Sequence, residues 1–300
     1  MTKRHLRVLQ LGNNLLGFYA GRASGTSGEP VKGWVEEGAL SLGICSYALV
    51  DGVDAIVYDT HVSVEHARMI RERLERLGVR RFRVVLSHWH LDHVAGGDVF
   101  ADCEIIANHA TADLLVEHRT AIEGGTLEGP PPIAPLVLPT STFEQSLHLE
   151  TANLQIELLQ FEIHSRDATV VHLPSEGLLL AGDTVEDTVT YVSEADRLEQ
   201  HLDELGRMRR LGAKHIFPNH GDRARIERGG YAESLIDATE SYIGDLLRSK
   251  GRPLGQQDGL RDFVADPLAA GWISWFEPYE RVHQSNLAAV REPSLGATDG

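Results

Sequence analysis

The stretch Phe82-Arg83-Val84-Val85-Leu86-Ser87-His88-Trp89-His90-Leu91-Asp92-His93 decides how the rest of the chain is read. It opens as a short apolar run of the kind that forms a buried strand. It closes on four strong metal ligands within six positions: His88, His90, Asp92 and His93. Imidazole and carboxylate donors in such density suit a divalent ion of the zinc type. In extended backbone, residues two apart point the same way, so His88 and His90 can grip one ion together. Asp92 and His93 fall just beyond, where the chain must turn, and can face a second ion.

Working outward, Ala55-Ile56-Val57-Tyr58 is another short apolar run, ending at Asp59. Ser63 predicts an N-cap and Gly78 a stop for a helix carrying Ala67, Ile70, Leu74 and Leu77 on one face. Downstream the pattern predicts a strand over 103–107, a helix over about 110–122, and a long loop over 124–139 containing Gly129-Pro130-Pro131-Pro132. An all-β stretch follows over 143–182, then a helix over about 195–211, a strand over 215–217 and a mainly helical remainder. No internal repeat or low-complexity linker interrupts this order. Four of the apolar strands end at a ligand-type residue: Asp59, His88, Asp183 and His220. Side chains presented at strand ends can converge on one site while the sheet holds them rigid.

Size and charge bound the function. With 300 residues, 42% apolar and 24% charged, the chain can bury a large core. Its net charge of −16, from 28 basic and 44 acidic side chains, argues against nucleic acid and anionic membranes as partners and for a small-molecule substrate. The opening MTKRHLRVLQLGNN has no apolar signal core, and no segment approaches the roughly 20 apolar residues of a membrane span, so a cytoplasmic location is expected. Cys45 and Cys103 form no CxxC pair and read as two small buried hydrophobes.

Three further residues extend the ligand set: His164 in Glu162-Ile163-His164-Ser165-Arg166-Asp167, Asp183 in Ala181-Gly182-Asp183-Thr184, and His220 in Pro218-Asn219-His220-Gly221. With these in place the chain resembles the metallo-β-lactamase superfamily of hydrolases over about 40–222, with five motifs in order. The resemblance implies an α+β fold, a four-layer αββα sandwich over 1–250, with a C-terminal helical extension over 251–300 packed on the same domain. It implies that His88, His90 and His164 hold one metal, that Asp92, His93 and His220 hold the other, and that Asp183 bridges both. Asp59 would steady a ligand from behind, as could Asp167. The cofactors expected are two divalent ions, Zn2+ foremost, with Fe or Mn accepted by the same donors. A water held between two such cations becomes a nucleophile near neutral pH. Asp92 is the expected catalytic residue, orienting that nucleophile and carrying a proton to the leaving group.

Such a resemblance does not by itself fix a substrate. Asp183 argues against antibiotic β-lactam hydrolysis as the main activity, because β-lactamases of this superfamily lack an Asp there. Hydroxyacylglutathione hydrolases typically follow the last His with Tyr-Thr, where this chain has Gly221-Asp222. Acyl-homoserine lactonases often place a Tyr three residues after the bridging Asp; here Glu186 stands there, with Tyr191 further on. The expectation is dinuclear hydrolysis of an ester, lactone or thioester of a small metabolite. The alternatives are a mononuclear iron, persulfide-dioxygenase-like oxidoreductase, or a β-lactam, amide or phosphodiester hydrolase. The loops over 21–34 and 124–139 and the C-terminal helices are the expected pocket walls. The aromatic residues Trp272, Trp275, Phe276 and Tyr279 read rather as core or subunit contact, consistent with a possible homodimer, and Trp89 as packing.

Overall fold

The computed structural model of the chain describes residues 6–22, 33–252 and 258–291, so most of the 21–34 loop lies outside the described residues. The first sheet is laid down in sequence order: β1 (Arg7–Gln10), β2 (Leu15–Ala20), β3 (Ile44–Asp51), β4 (Asp54–Tyr58), β5 (Arg81–Val85), β6 (Glu104–Asn108) and β7 (Ser141–Phe143). Its first four strands pair antiparallel and β4 to β7 pair parallel. The second sheet holds β8 (Ser146–Glu150), β9 (Gln155–Ile163), β10 (Ser165–Leu173), β11 (Leu178–Gly182) and β12 (His215–Pro218), antiparallel except for β11 with β12.

The period-2 pattern of the central strands sorts their side chains between two cores. Cys45, Tyr47 and Leu49 of β3, Ile56 and Tyr58 of β4, and Ile106 of β6 face the second sheet. Ile44, Ala48, Ala55, Val57, Ile105 and Ala107 face outward, onto Ala67, Ile70 and Leu74 of the helix Val64–Arg76 and Leu115 and Ile122 of the helix His109–Glu123. The inter-sheet core continues into Leu205 and Met208 of the helix Leu198–Arg209 and Tyr242 and Leu246 of the helix Ser234–Ser249. Leu287 of the last helix, Tyr279–Arg291, joins the same core. Each such buried aliphatic or aromatic side chain contributes roughly 1.5–3 kcal/mol. The expected order, helix layer, sheet, sheet, helix layer, with helices at the C-terminal end, is therefore present.

Local signals behave as read. The Ser63 side chain accepts from the His66 amide at the N-terminus of its helix, and Gly78 ends it at φ 99°. The sequence reading does not single out β1, β2 or β3. The six residues of β2 are all buried, so that strand shows no polar alternation to read. Cys45 is buried as expected, but Cys103 is only half-buried, with Sγ 3.3 Å from Asp102 Oδ1.

What positions the site is the tie between the sheets. Tyr47 donates to the Pro218 carbonyl at 2.6 Å and Tyr19 to the Gly221 carbonyl at 3.1 Å, while Tyr58 donates to the Thr169 carbonyl. Each buried phenol thus spans from the first sheet to backbone of the second sheet or of the loop that follows β12. The ends of β4, β5, β11 and β12 come together at one edge of the sandwich, and among the described residues no helix is long and apolar enough to cross a membrane.

Candidate metal centre

The seven ligand candidates converge from both sheets. His88, His90, Asp92 and His93 follow β5, with Leu91–Val94 forming a single helical turn. Asp183 follows β11, and His220 lies two residues past β12. His164 is the one residue between β9 and β10, at φ 69°, and Asp59, just past β4, is at φ 67°. Non-glycine residues in the left-handed region are uncommon and cluster where function sets the geometry.

Two groups of donor atoms result. His88 Nε2, His90 Nδ1 and His164 Nε2 face one another at 2.9, 3.0 and 3.2 Å. A tetrahedral zinc ion with Zn–N bonds of 2.0–2.1 Å separates its nitrogens by about 3.3 Å, so this triangle closely fits one ion. In the second group, Asp92 lies 3.5 Å from His93 Nε2 and 3.2 Å from His220 Nε2. Asp183 Oδ2 stands between the groups, 3.1 Å from His93, 3.4 Å from His220, 3.8 Å from His88 and 3.9 Å from His164. Asp183 Oδ1 is buried with no hydrogen-bond partner. A buried carboxylate oxygen left unpaired is costly, and a cation is the partner this donor set would satisfy.

The outward-facing nitrogens are held as well. His93 Nδ1 donates to Asp59 Oδ2 at 2.8 Å, His220 Nδ1 to the Gly43 carbonyl at 2.7 Å, and His164 Nδ1 to the Tyr191 carbonyl at 3.0 Å. His88 Nδ1 lies 2.9 Å from Ser87 Oγ, and His90 Nε2 lies 3.4 Å from Ser193 Oγ. Imidazoles fixed in this way present the opposite nitrogen as a ready ligand. Asp59 also accepts from the Ser87 amide at 2.6 Å and from Asn219, so one buried carboxylate ties β4, the His88 loop and the His220 loop. Asp167 instead supports backbone: it accepts from the Trp89 amide at 3.0 Å and from Thr111 at 2.8 Å.

The electrostatics divide the same way. Burial, reinforced by neighbouring imidazoles, holds His88 well below the usual histidine range, and burial pushes His164 down to about 3. Neutral imidazole is the ligating form. Burial opposes charge on His93 and His220 too, but Asp183 and Asp92 prevail and hold both well above the usual range. Asp59, Asp92 and Asp183 thus create a buried demand for positive charge, which protons or a metal can meet.

Several supporting contacts depend on the fold and are not legible in the sequence, even where the residue itself is named from it. Asn219 stood inside a quoted motif, but its contact with Asp59 depends on the fold. Glu186 is buried beside the site, with Oε1 3.7 Å from His164 Nδ1, and burial plus the Asp183 charge raises its carboxyl to about 8. Tyr191 flanks the first group, its ring centroid 5.9 Å from His164 and 6.3 Å from His90, and it is 40% exposed. Trp89 stacks on His118 at 4.6 Å and packs against the outer core. Glu128, from the 124–139 loop, lies within electrostatic reach of Asp92 and Tyr191.

The profile of the metallo-beta-lactamase superfamily matches residues 41–220. A linear primary-alkylsulfatase from Pseudomonas sp. (strain ATCC 19151) is 21% identical over 303 residues, covering 82% of this chain and 54% of the relative. The chain thus spans about half the length of the curated relative it matches. Among solved structures, a metallo-beta-lactamase from Pontibacter korlensis superposes with a TM-score of 0.60 at 19% identity, covering 80% of this chain and 100% of that one. The DIM-1 metallo-beta-lactamase gives 0.53 at 20% identity, covering 78% and 97%. At these identities the structural likeness carries the fold alone.

Proposed function

The chain belongs to the metallo-beta-lactamase superfamily, and from that premise we propose that it is a hydrolase that holds two divalent ions, Zn2+ foremost, and cleaves an ester, lactone or thioester of a small molecule. The observation that carries this reading is the sharing of Asp183 Oδ2 between two three-residue donor groups. His88, His90 and His164 would hold one ion; Asp92, His93 and His220 would hold the other. When bound, the ions would supply the Lewis acidity that activates water and polarises the scissile bond.

The chain's own residues do the rest. Asp59 and the Gly43 and Tyr191 carbonyls fix the tautomers of three imidazoles and so aim their ligating nitrogens. Asp92 is the more open of the two ligand carboxylates, with its side chain 18% exposed against 5% for Asp183. That exposure suits it to pass a proton to a leaving group. Tyr191 offers an aromatic wall beside His90 and His164, against which an acyl or alkyl portion of a substrate could rest.

The alkylsulfatase relative supports a second reading, in which the ester cleaved is that of a primary alkyl sulfate. One experiment separates the readings. Metal-replete protein, prepared without chelators, is assayed for metal content and against carboxylic esters, lactones, thioesters, primary alkyl sulfates, phosphodiesters, β-lactams and, with an oxygen electrode, persulfides. Two ions per chain with turnover of a carboxylic ester, lactone or thioester is the expected result, and Asp183→Ala should abolish it. At most one ion per chain, or wild-type turnover in Asp183→Ala, would overturn the two-ion reading.

A further inference from the structure

The segment 183–193 carries Asp183 at one end and the carbonyl that fixes His164 near the other, yet it contains no helix or strand. Residues 183–190 are all buried. Buried irregular backbone must find partners outside itself. Arg22 and the His164 and His220 carbonyls supply some of them, and the C-terminal segment supplies a further set. Tyr279 donates to Glu186 Oε2 at 3.0 Å, and Glu186 Oε1 accepts the Tyr191 amide at 3.1 Å. Asn286 accepts the Val192 amide at 3.0 Å and donates to the Thr190 carbonyl at 2.9 Å. Thr190 in turn donates to the Asp183 carbonyl at 2.6 Å. The Ser274 amide donates to Asp187 at 2.7 Å, and Thr188 returns a bond to the Ser274 carbonyl at 2.8 Å.

We propose that Tyr279, acting through Glu186, and Asn286 are positioning residues of the metal centre. The C-terminal segment holds the 183–193 backbone, and through it the Tyr191 carbonyl against His164 and the Asp183 carboxylate between the two donor groups. Glu186 stands three residues past Asp183 and is 2% exposed: its Oε2 accepts from Tyr279, while its Oε1 lies 3.7 Å from His164 Nδ1 in a donor cluster with His164 and Asp183. The role of that position in this chain is to connect the last helix to the site. Removing the Tyr279 hydroxyl leaves the fold's apolar contacts in place while taking a donor from Glu186, which frees Tyr191 and loosens His164. The inference rests on the two-ion reading above, because positioning matters only if the donors bind metal.

The test uses the full chain with Zn2+ and Co2+ as probes. Affinity is measured by competition with a chromophoric chelator, the site's ligand field by the Co2+ absorption spectrum at saturation, and the segment by hydrogen exchange of the amides over 186–193. Tyr279→Phe should weaken Zn2+ binding about tenfold, in line with the loss of other groups that orient ligands. It should also shift the Co2+ bands and speed exchange at Tyr191. Asn286→Ala, which removes the bonds to the Val192 amide and the Thr190 carbonyl, provides the same test should Tyr279→Phe fail to fold. Gln284→Ala, an exposed change on the same helix that touches Asp258 and Glu280 rather than the 183–193 segment, should leave affinity and spectrum unchanged. Wild-type affinity and spectrum in both Tyr279→Phe and Asn286→Ala would overturn the positioning role alone, as would equal weakening in Gln284→Ala. A wild-type protein that takes up no Zn2+ would bring down the two-ion reading, and the inference with it.

Discussion

Replacing Asp59 by Asn tests how the site is held without touching any direct metal donor. The change is nearly isosteric, and Asn tolerates the left-handed backbone that Asp59 adopts at φ 67°, so conformational strain does not confound the result. Asp59 accepts on both oxygens: Oδ1 from the Ser87 amide at 2.6 Å, Oδ2 from His93 at 2.8 Å and from Asn219. An amide has only one accepting end. If its oxygen faces His93 and Asn219, its NH2 confronts the Ser87 N–H; if it turns round, two donors confront it instead. Either way at least one buried donor loses its partner, at about 1–3 kcal/mol, and the ion pair with His93 becomes a bond to an uncharged acceptor, at about 1 kcal/mol more. The metal-free variant should therefore unfold roughly 2–4 kcal/mol more easily in urea. Its Zn2+ affinity should fall 10–100-fold, roughly 1.4–2.8 kcal/mol, because His93 loses the partner that sets its tautomer. Chelator competition measures the second quantity and equilibrium unfolding the first. Wild-type values for both would refute the assignment of Asp59 as the anchor of the centre.

Zn2+ uptake should release protons at pH 6.5, because the ion displaces those that Asp183 and Asp92 hold on His93 and His220 above the usual range; affinity should then fall as pH is lowered, and absence of proton release into a weakly buffered indicator dye would contradict this. Gly182→Ala should destabilise the chain by at least about 1 kcal/mol, seen as a lower thermal midpoint, since the residue sits at φ 58° and a Cβ would stand 2.8 Å from the Tyr58 hydroxyl. His201, buried in the helix Leu198–Arg209, is held down to about 4, chiefly by burial, with Arg197 adding to it. The unfolded chain binds a proton there that the folded chain refuses, so stability is lost as pH falls from about 6.5 to about 4. Between pH 7 and 4.5 the wild type should lose about 2–3 kcal/mol more than His201→Leu, measured by urea unfolding; parallel pH profiles would refute this origin.

What the sequence made legible follows from how local each signal is. The strand ends bearing Asp59, His88, Asp183 and His220 were readable because a short apolar run and the polar residue that closes it are neighbours in the chain. The helix Val64–Arg76 was readable from its cap, its apolar face and its glycine stop. β2 was not, because burial on both faces erases alternation. His164 was found through its motif, but its place as the sole residue between β9 and β10 was not, since the register of that hairpin is set by tertiary packing. Glu186 and Tyr279, 93 residues apart, carry no shared pattern; only folding brings the phenol to the carboxylate. The aromatic run near residue 275 read as core or subunit contact. Tyr279 is indeed in the core, and it also supports the segment that bears Asp183.

The three tyrosines that reach from the first sheet to backbone carbonyls of the second sheet and of the loop after β12 have a consequence for how the chain can be divided. Every donor before residue 124 hangs from the first sheet, and His164, Asp183 and His220 hang from the second. The phenols act as struts of fixed length, so the two halves of the centre meet only when the sheets lie in one register. A chain cut within the 124–139 loop would leave neither piece with a bridged pair of sites. Metal uptake by the mixed pieces would then serve as a gauge of whether the two sheets had found each other again.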